Sequence, residues 1–126
     1  AQVDYLSLHC PLTEDTRDLI DAEVLEAMKP SAFLINCARG GIVNEQALVD
    51  ALKRGKIAGA ATDVLSVEPP KQGNVLIDAL NNDEIQNLII TPHSAWGSRD
   101  ARQRIVDQML ENLKAFQQGT PIRQVN

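Results

Sequence analysis

The sequence predicts an α/β domain in which helices flank a parallel sheet of about four strands. Four short apolar runs alternate with segments of helical periodicity, which is the pattern of successive β-α-β units. The runs are apolar throughout instead of alternating, which is typical of strands buried on both faces. A length of 126 residues, of which 44% are hydrophobic, fits a single compact core.

The four apolar runs are each short enough to be a strand. Proline lacks a backbone N–H group, so Pro11 and Pro92 are expected to end the first and the fourth run. The small residues of the third run indicate close packing of its backbone. The runs are residues 3–10, 32–38, 57–65 and 87–92.

Helix start and stop signals lie between these runs. Asp21 is a good N-cap for a short helix that extends to Met28 and ends before Pro30. Asn44 caps a second helix, and Gly55 lies where a C-terminal glycine belongs. The second helix carries an apolar stripe formed by Ala47, Leu48, Ala51 and Leu52.

The C-terminal part predicts one irregular segment and one long helix. Between the third and fourth runs, Pro69 and Pro70 make a stiff turn, and a short helix is expected near residues 75–80. Ser98 can cap a long helix that Gly119 closes. The apolar positions of this helix fall on one face and are Ile105, Val106, Met109, Leu110, Leu113 and Phe116.

Composition and charge exclude several classes of function. The chain has 12 Lys and Arg against 17 Asp and Glu, a formal net charge of −5, so we expect no nucleic-acid partner. No signal peptide or membrane-spanning apolar stretch is visible, so we expect a cytoplasmic location and no membrane partner. Cys10 and Cys37 form no C-x-x-C motif or metal-ligand spacing, and we interpret them as reduced residues without a metal.

The carboxyl ends of the predicted strands define the candidate site, because ligands bind there in parallel α/β sheets. Glu68 follows the third of these ends after a short loop. The residues at the four ends are His9, Cys10 and Pro11; Cys37, Ala38 and Arg39; Asp63; and Thr91, Pro92 and His93.

His93 and Glu68 are of types that support proton transfer. Histidine can donate or accept a proton near neutral pH, and the alternative is a capping or merely surface histidine. A carboxylate at Glu68 beside the histidine would favour the imidazolium form, and the alternative is a solvated loop glutamate.

Arg39, Asp63 and Cys37 leave similar alternatives. The planar guanidinium of Arg39 matches a carboxylate, and the alternative is a structural salt bridge. Asp63 ends an apolar strand, where it could bind an amide group of a ligand or cap the following turn. A Cys37–His93 nucleophile pair is also conceivable, although nothing marks Cys37 as activated. Without a G-x-G-x-x-G motif, the residues alone predict only an α/β domain with a polar edge.

Four segments carry the residues discussed above: LSLHCPLTEDTRDLI, MKPSAFLINCARGGIVNEQALVDAL, GAATDVLSVEPP and NLIITPHSAWGSRDARQR. In this order they resemble the nucleotide-binding domain of the D-isomer-specific 2-hydroxyacid dehydrogenases. That family's arginine, aspartate, glutamate and histidine correspond to Arg39, Asp63, Glu68 and His93. Trp96 and the ending ENLKAFQQGTPIRQVN are similar to the glycerate dehydrogenase, or hydroxypyruvate reductase, branch.

The resemblance implies a partial Rossmann-like sheet that binds NAD or NADP and takes part in reducing a small 2-keto acid, such as hydroxypyruvate or glyoxylate, to the D-2-hydroxy acid. It makes His93 the proton donor, Glu68 its support and Arg39 the residue that binds the substrate. It also implies that the parent protein is a homodimer. The cofactor contacts it implies are Cys10, Pro11, Thr16, Cys37, Ala38, Arg39, Asp63 and His93.

The family's glycine-rich turn and most of its substrate domain have no counterpart in this sequence. We therefore expect residues 1–126 to be the C-terminal part of a NAD(P)-binding domain plus the terminal helix, and to be inactive alone. Two alternatives stay open. One is a non-catalytic dinucleotide-sensing and dimerisation module, similar to corepressor relatives of the family, and the other is an inert fragment.

Overall fold

A computed structural model describes residues 2–125 and contains one four-stranded parallel sheet. The strands pair in chain order, and the predicted α/β fold with a parallel sheet is confirmed. The strands are β1 (Tyr5–Leu8), β2 (Phe33–Asn36), β3 (Gly59–Thr62) and β4 (Leu88–Ile90). The helices are α1 (Ala22–Ala27), α2 (Glu45–Lys53), α3 (Val75–Asn81) and α4 (Arg99–Gln117), and a 3₁₀ turn spans Ala95–Gly97.

The predicted caps begin the predicted helices. The side chain of Asp21 accepts a hydrogen bond from the backbone N–H of Val24 at 2.9 Å, which starts α1. Asn44 caps α2 in the same way through Ala47, also at 2.9 Å. Ser98 caps α4, as predicted, and Gly55 and Gly119 follow α2 and α4 with left-handed φ values of 65° and 72°. Asn74, which caps α3, was not predicted.

The core lies between the sheet and α1, α2 and α3. Alternate strand residues such as Leu34, Ala60 and Leu88 are buried, and they belong to the same apolar cluster as the inward side chains of the helices. A strand presents alternate residues to opposite faces, so this burial pattern places the three helices on one face of the sheet. The helix side chains of the cluster include Leu25, Leu48, Leu52 and Leu76.

The opposite face of the sheet is exposed. Tyr5 is 69% exposed, Phe33 40% and Ile89 65%, and the rings of Tyr5 and Phe33 stack with centroids 5.7 Å apart. The prediction that the strands are buried on both faces is therefore wrong for this chain. A run of three or four apolar residues fits a strand with either one or two covered faces, and within residues 2–93 the helices cover only one.

The chain divides into two compact units, the first ending at His93 and the second beginning at Ser94. The apolar cluster lies entirely in the first unit, so the predicted single core does not include the terminal helix. In the second unit, α4 has the predicted amphipathic pattern, but its apolar side chains are between 51% and 73% exposed. Among the described residues, no helix is long and apolar enough to cross a bilayer.

Candidate active site

The strand register brings the predicted site residues to one edge of the sheet. Asn36, the last residue of β2, lies beside Leu8 of β1 and Thr62 of β3, and Thr62 lies beside Ile90 of β4. The segments that leave these strands therefore start side by side, and we call this side the carboxyl edge. Each predicted site residue except Thr16 and Glu68 follows its strand within three residues.

His93 and Glu68 form a pair at the carboxyl edge. Their Nδ1 and Oε2 atoms lie 2.7 Å apart, and the other carboxylate oxygen of Glu68 accepts a hydrogen bond from the backbone N–H of Leu65 at 2.7 Å. Partial burial works to raise the pKa of Glu68, but the Leu65 N–H group and the His93 imidazole outweigh it, and the pKa lies below its ordinary value. Glu68 is thus an ionised partner of the histidine and not a loop glutamate that contacts only solvent.

The backbone of His93 is held in a conformation that non-glycine residues rarely adopt. Its φ is 51°, in the left-handed region. Its N–H group donates to the carbonyl oxygens of Asp63 at 2.9 Å and Thr91 at 3.0 Å. Such a conformation costs on the order of 1–3 kcal/mol, and residues held in this way cluster at functional sites. The left-handed turn directs the imidazole to Glu68 immediately after β4 ends.

Asp63 is a buried carboxylate, 3% exposed, directly after β3. Its Oδ1 atom accepts a hydrogen bond from the hydroxyl of Thr91, in the segment that leaves β4. Because its carbonyl also accepts from the His93 N–H group, Asp63 links the ends of β3 and β4. Sequence reasoning placed Thr91 at this edge without assigning it a role, since a threonine after a strand has no distinctive signal.

The turn that carries Arg39 is organised by Asn36, a polar residue that is only 3% exposed. Its amide group donates to the carbonyl of Arg39 at 3.0 Å and its amide oxygen accepts from the Ala38 N–H group at 3.1 Å. Sequence reasoning missed Asn36, although a lone amide inside an apolar run was an available signal. The exposed guanidinium of Arg39 donates to the Ala38 carbonyl at 2.7 Å, and none of the ion pairs found within residues 2–125 includes it.

Two cavities lie at the carboxyl edge. The first, of about 390 Å³, has Glu68 and His93 in a mostly apolar wall, and the second, of about 700 Å³, has Arg39 in its wall. The first is lined by Leu65, Glu68, Pro69, Pro70, Ile77, Ile90, Thr91, Pro92 and His93. The second is lined by His9, Cys10, Pro11, Leu12, Cys37, Ala38 and Arg39, which include five of the predicted cofactor contacts.

The structure does not bring every predicted residue together. The guanidinium of Arg39 and the imidazole of His93 line different cavities, so of the three residues predicted to be catalytic only Glu68 and His93 share one. Cys37 is exposed in the second cavity, and no hydrogen bond among the described residues joins it to His93. The hydroxyl of Thr16 donates to the Pro11 carbonyl at 2.7 Å, inside its own turn and outside the cavity wall.

The carboxyl edge combines charged and hydrogen-bonding side chains of several kinds. No group of three or more His, Cys, Asp or Glu side chains in the described part of the chain is arranged to hold a metal ion. What the carboxyl edge presents is an ionised carboxylate with its histidine, an exposed guanidinium and a buried aspartate. This set can bind a carboxylate and transfer a proton.

Comparison with known proteins identifies the family. Residues 1–95 match the family described as "D-isomer specific 2-hydroxyacid dehydrogenase, NAD binding domain". The chain is 53% identical, over 95% of its length, to a glycerate dehydrogenase of Methylorubrum extorquens. It is 40% identical, over its whole length, to a hydroxypyruvate reductase of Blautia hydrogenotrophica. Both names belong to the predicted branch, and the chain covers 37% of each of these relatives.

A solved structure of similar fold supports the same assignment. The D-isomer specific 2-hydroxyacid dehydrogenase from Lactobacillus delbrueckii ssp. bulgaricus, in its NAD-complexed form, superposes with a TM-score of 0.85 at 36% identity. The match covers 99% of this chain and 40% of that one. The predicted resemblance is thus confirmed at the level of sequence and of fold. The chain belongs to the D-isomer-specific 2-hydroxyacid dehydrogenase family, to whose NAD-binding domain residues 1–95 correspond.

Proposed function

We propose that the protein containing this chain reduces a small 2-keto acid, hydroxypyruvate or glyoxylate first among the candidates, to the D-2-hydroxy acid with NADH or NADPH. The observation that carries the proposal is the Glu68–His93 pair at the carboxyl edge, next to the end of the strand that bears Asp63. The chain covers little more than a third of its curated relatives, and we propose that it supplies the C-terminal part of their cofactor-binding domain together with the terminal helix.

The position and lining of the second cavity support the binding of part of a dinucleotide there. It opens at the carboxyl ends of β1 and β2, and its wall is formed by short side chains and backbone at Cys10, Pro11, Cys37 and Ala38, which leave room for a flat group. The burial of Asp63 directly after the next strand supports a role in which its carboxylate holds the carboxamide of a nicotinamide. When bound, the reduced nicotinamide supplies a hydride to the carbonyl carbon of the substrate.

The chain's own residues then account for orientation and proton transfer. The exposed guanidinium of Arg39 binds the carboxylate of the 2-keto acid through paired hydrogen bonds and orients the reacting carbon. The imidazole of His93 donates a proton to the carbonyl oxygen as negative charge develops there. The ionised Glu68 contacts Nδ1 and fixes the orientation of the ring, and Nε2 is the nitrogen that donates to the substrate.

Substitution of His93 tests the proposal. In the full-length protein that contains this chain, we expect His93→Ala to lower kcat with hydroxypyruvate and NADH by about 10²–10⁴-fold, because the general acid is lost. NADH binding, measured by calorimetry, is expected to weaken much less than kcat falls, since His93 is one of several predicted cofactor contacts but the only predicted proton donor. An unchanged kcat would contradict the role of His93, and a wild-type protein without turnover on small 2-keto acids would contradict the function.

The cytoplasmic location and the homodimer stay predictions for the whole protein. The acidic net charge and the absence of a membrane-spanning helix from residues 2–125 are compatible with the proposed reaction in an aqueous compartment.

A further inference from the structure

Glu45, the first residue of α2, accepts three hydrogen bonds from a segment far away in the sequence. Its Oε1 atom accepts from the backbone N–H of Ser66 at 2.7 Å, and its Oε2 atom accepts from the Ser66 hydroxyl and the Asn74 amide, both at 2.8 Å. Ser66 and Asn74 lie on either side of Glu68 in the connection from β3 to α3. One carboxylate therefore ties both parts of the loop that carries Glu68 to α2.

These contacts differ from those of an ordinary acidic residue in a first helical turn. Such a residue gains stability from the helix dipole and otherwise faces solvent. Here the partners are 21 and 29 residues away, and one of them, Asn74, is only 9% exposed. Asn74 also caps α3 by accepting from the Leu76 N–H group at 3.0 Å. The carboxylate of Glu45 thus connects the start of α2 to the start of α3.

The same junction brings the Arg39 turn against the Glu68 loop. A Cβ atom at Gly40 would lie 1.8 Å from the carbonyl oxygen of Leu65, so the two backbones are in contact at this point. Leu65 in turn donates its N–H group to Glu68 at 2.7 Å. Glu45 accepts two hydrogen bonds from Ser66, which directly follows Leu65 in the chain.

We propose that Glu45 is a positioning residue whose carboxylate holds the Ser66–Asn74 loop against the Arg39 turn and so directs Glu68 to the His93 imidazole. Its part in catalysis rests on the function proposed above. Its effect on the position of Glu68 can be measured without assaying the reaction. Glu45 itself touches neither Glu68 nor His93 among the contacts described, so it acts through the backbone of Leu65 and Ser66.

The charge state of Glu68 reports this geometry. Its pKa is lowered against the effect of desolvation because Leu65 N–H and His93 contact the carboxylate, while the charge of Asp63 works in the opposite direction. In Glu45→Gln the side chain keeps its size, but an NH₂ group replaces one acceptor oxygen and faces donors of the loop. The loop is then released, Leu65 moves from Glu68, and the pKa of Glu68 rises towards its ordinary value.

The experiment compares Glu45→Gln and Ser66→Ala with Gln46→Ala, a control on the exposed side of the same helical turn. Carbon-13 NMR of the Glu68 side-chain carboxyl, titrated in this chain, measures the pKa. We expect it to rise in Glu45→Gln, to rise less in Ser66→Ala and to match wild type in Gln46→Ala.

In the full-length protein, Glu45→Gln is expected to lower kcat/KM for hydroxypyruvate by about 10–100-fold with NADH affinity retained, as for a misplaced catalytic group.

The two measurements separate the two proposals. An unchanged Glu68 pKa in a folded Glu45→Gln variant overturns the role of Glu45, whatever the activity of the protein. If Glu45→Gln does not fold, an unchanged Glu68 pKa in Ser66→Ala overturns the role of Glu45 instead. This substitution only removes one hydroxyl donor from an exposed loop residue. A full-length wild type without reductase activity overturns the proposed function, while the NMR titration still decides whether Glu45 positions Glu68.

Discussion

The Glu68–His93 pair links the charge of one residue to the stability of the fold. The folded protein holds the pKa of Glu68 below its ordinary value, whereas the unfolded chain does not. Between these two values the unfolded state binds more protons, so the stabilisation is complete above the unfolded pKa and is lost as the pH falls through the folded pKa. The His93 side chain is 44% exposed, so water screens the pair and the contribution is small.

Replacing Glu68 by glutamine makes this contribution measurable. We expect Glu68→Gln to lower the free energy of unfolding by less than about 1 kcal/mol at about pH 7, and to have less effect at about pH 3, which lies below the ordinary pKa of a glutamate, so that part of the stabilisation is already lost. Urea unfolding of both proteins at the two pH values gives the difference. A destabilisation of equal size at both pH values would show that the carboxylate charge does not contribute.

Gly40 supports a second prediction for a single residue. A side chain there would overlap the backbone of Leu65 and Ser66, and backbone cannot move aside as a flexible side chain can. We expect Gly40→Ala to cost about 1–3 kcal/mol or more, the range of overpacked sites. Gly97→Ala is the matched control because nothing lies within 4 Å of its added Cβ and its φ is not positive. Equal urea midpoints for the two variants would contradict the close contact.

Single residues differ in how far the sequence can predict them. His93, Glu68 and Arg39 are of chemically distinctive types at strand ends, so the sequence suffices to propose them. Glu45 has no such signal, because glutamate is common in the first turn of a helix and its partners are distant in the chain. Only the packing of α2 against the loop before α3 shows that its carboxylate contacts Ser66 and Asn74 instead of solvent.

At the scale of elements, local rules account for helix starts but not for strand lengths. Asp21, Asn44 and Ser98 each satisfy a free N–H group of the first turn, a contact that depends on three or four consecutive residues and can therefore be predicted. The first apolar run, residues 3–10, forms a strand only over Tyr5–Leu8. Its last two residues instead help to form the second cavity, because pairing stops where the chain turns towards the site.

The cap of α2 is a testable element-scale contact. Removing the Asn44 side chain leaves the Ala47 N–H group without its partner, and we expect Asn44→Ala to destabilise the chain by about 1 kcal/mol. Asn82→Ala is the control, since Asn82 is exposed at the C-terminal end of α3 and its side chain caps nothing. Thermal unfolding followed by circular dichroism compares them. A midpoint for Asn44→Ala no lower than that for Asn82→Ala would contradict the capping role.

At the scale of the whole molecule, the helices within residues 2–93 cover one side of the sheet only. The sequence could not show this, because an apolar run indicates burial without indicating what provides it. The chain spans 37% of each of the two relatives named above. Local patterns therefore predict where the strands lie along the chain, and the three-dimensional packing decides which face of the sheet is buried.

Two neighbouring residues of β4 test this asymmetry. Leu88 is 6% exposed within the apolar cluster, whereas Ile89, on the other face, is 65% exposed. Leu88→Ala removes buried methyl groups and leaves a cavity, so we expect a loss of about 2–5 kcal/mol in the free energy of unfolding. Ile89→Ala loses mainly strand preference and is expected to cost less than about 1 kcal/mol. Urea unfolding of the two variants measures both values, and comparable losses would mean that the face bearing Ile89 is covered in solution.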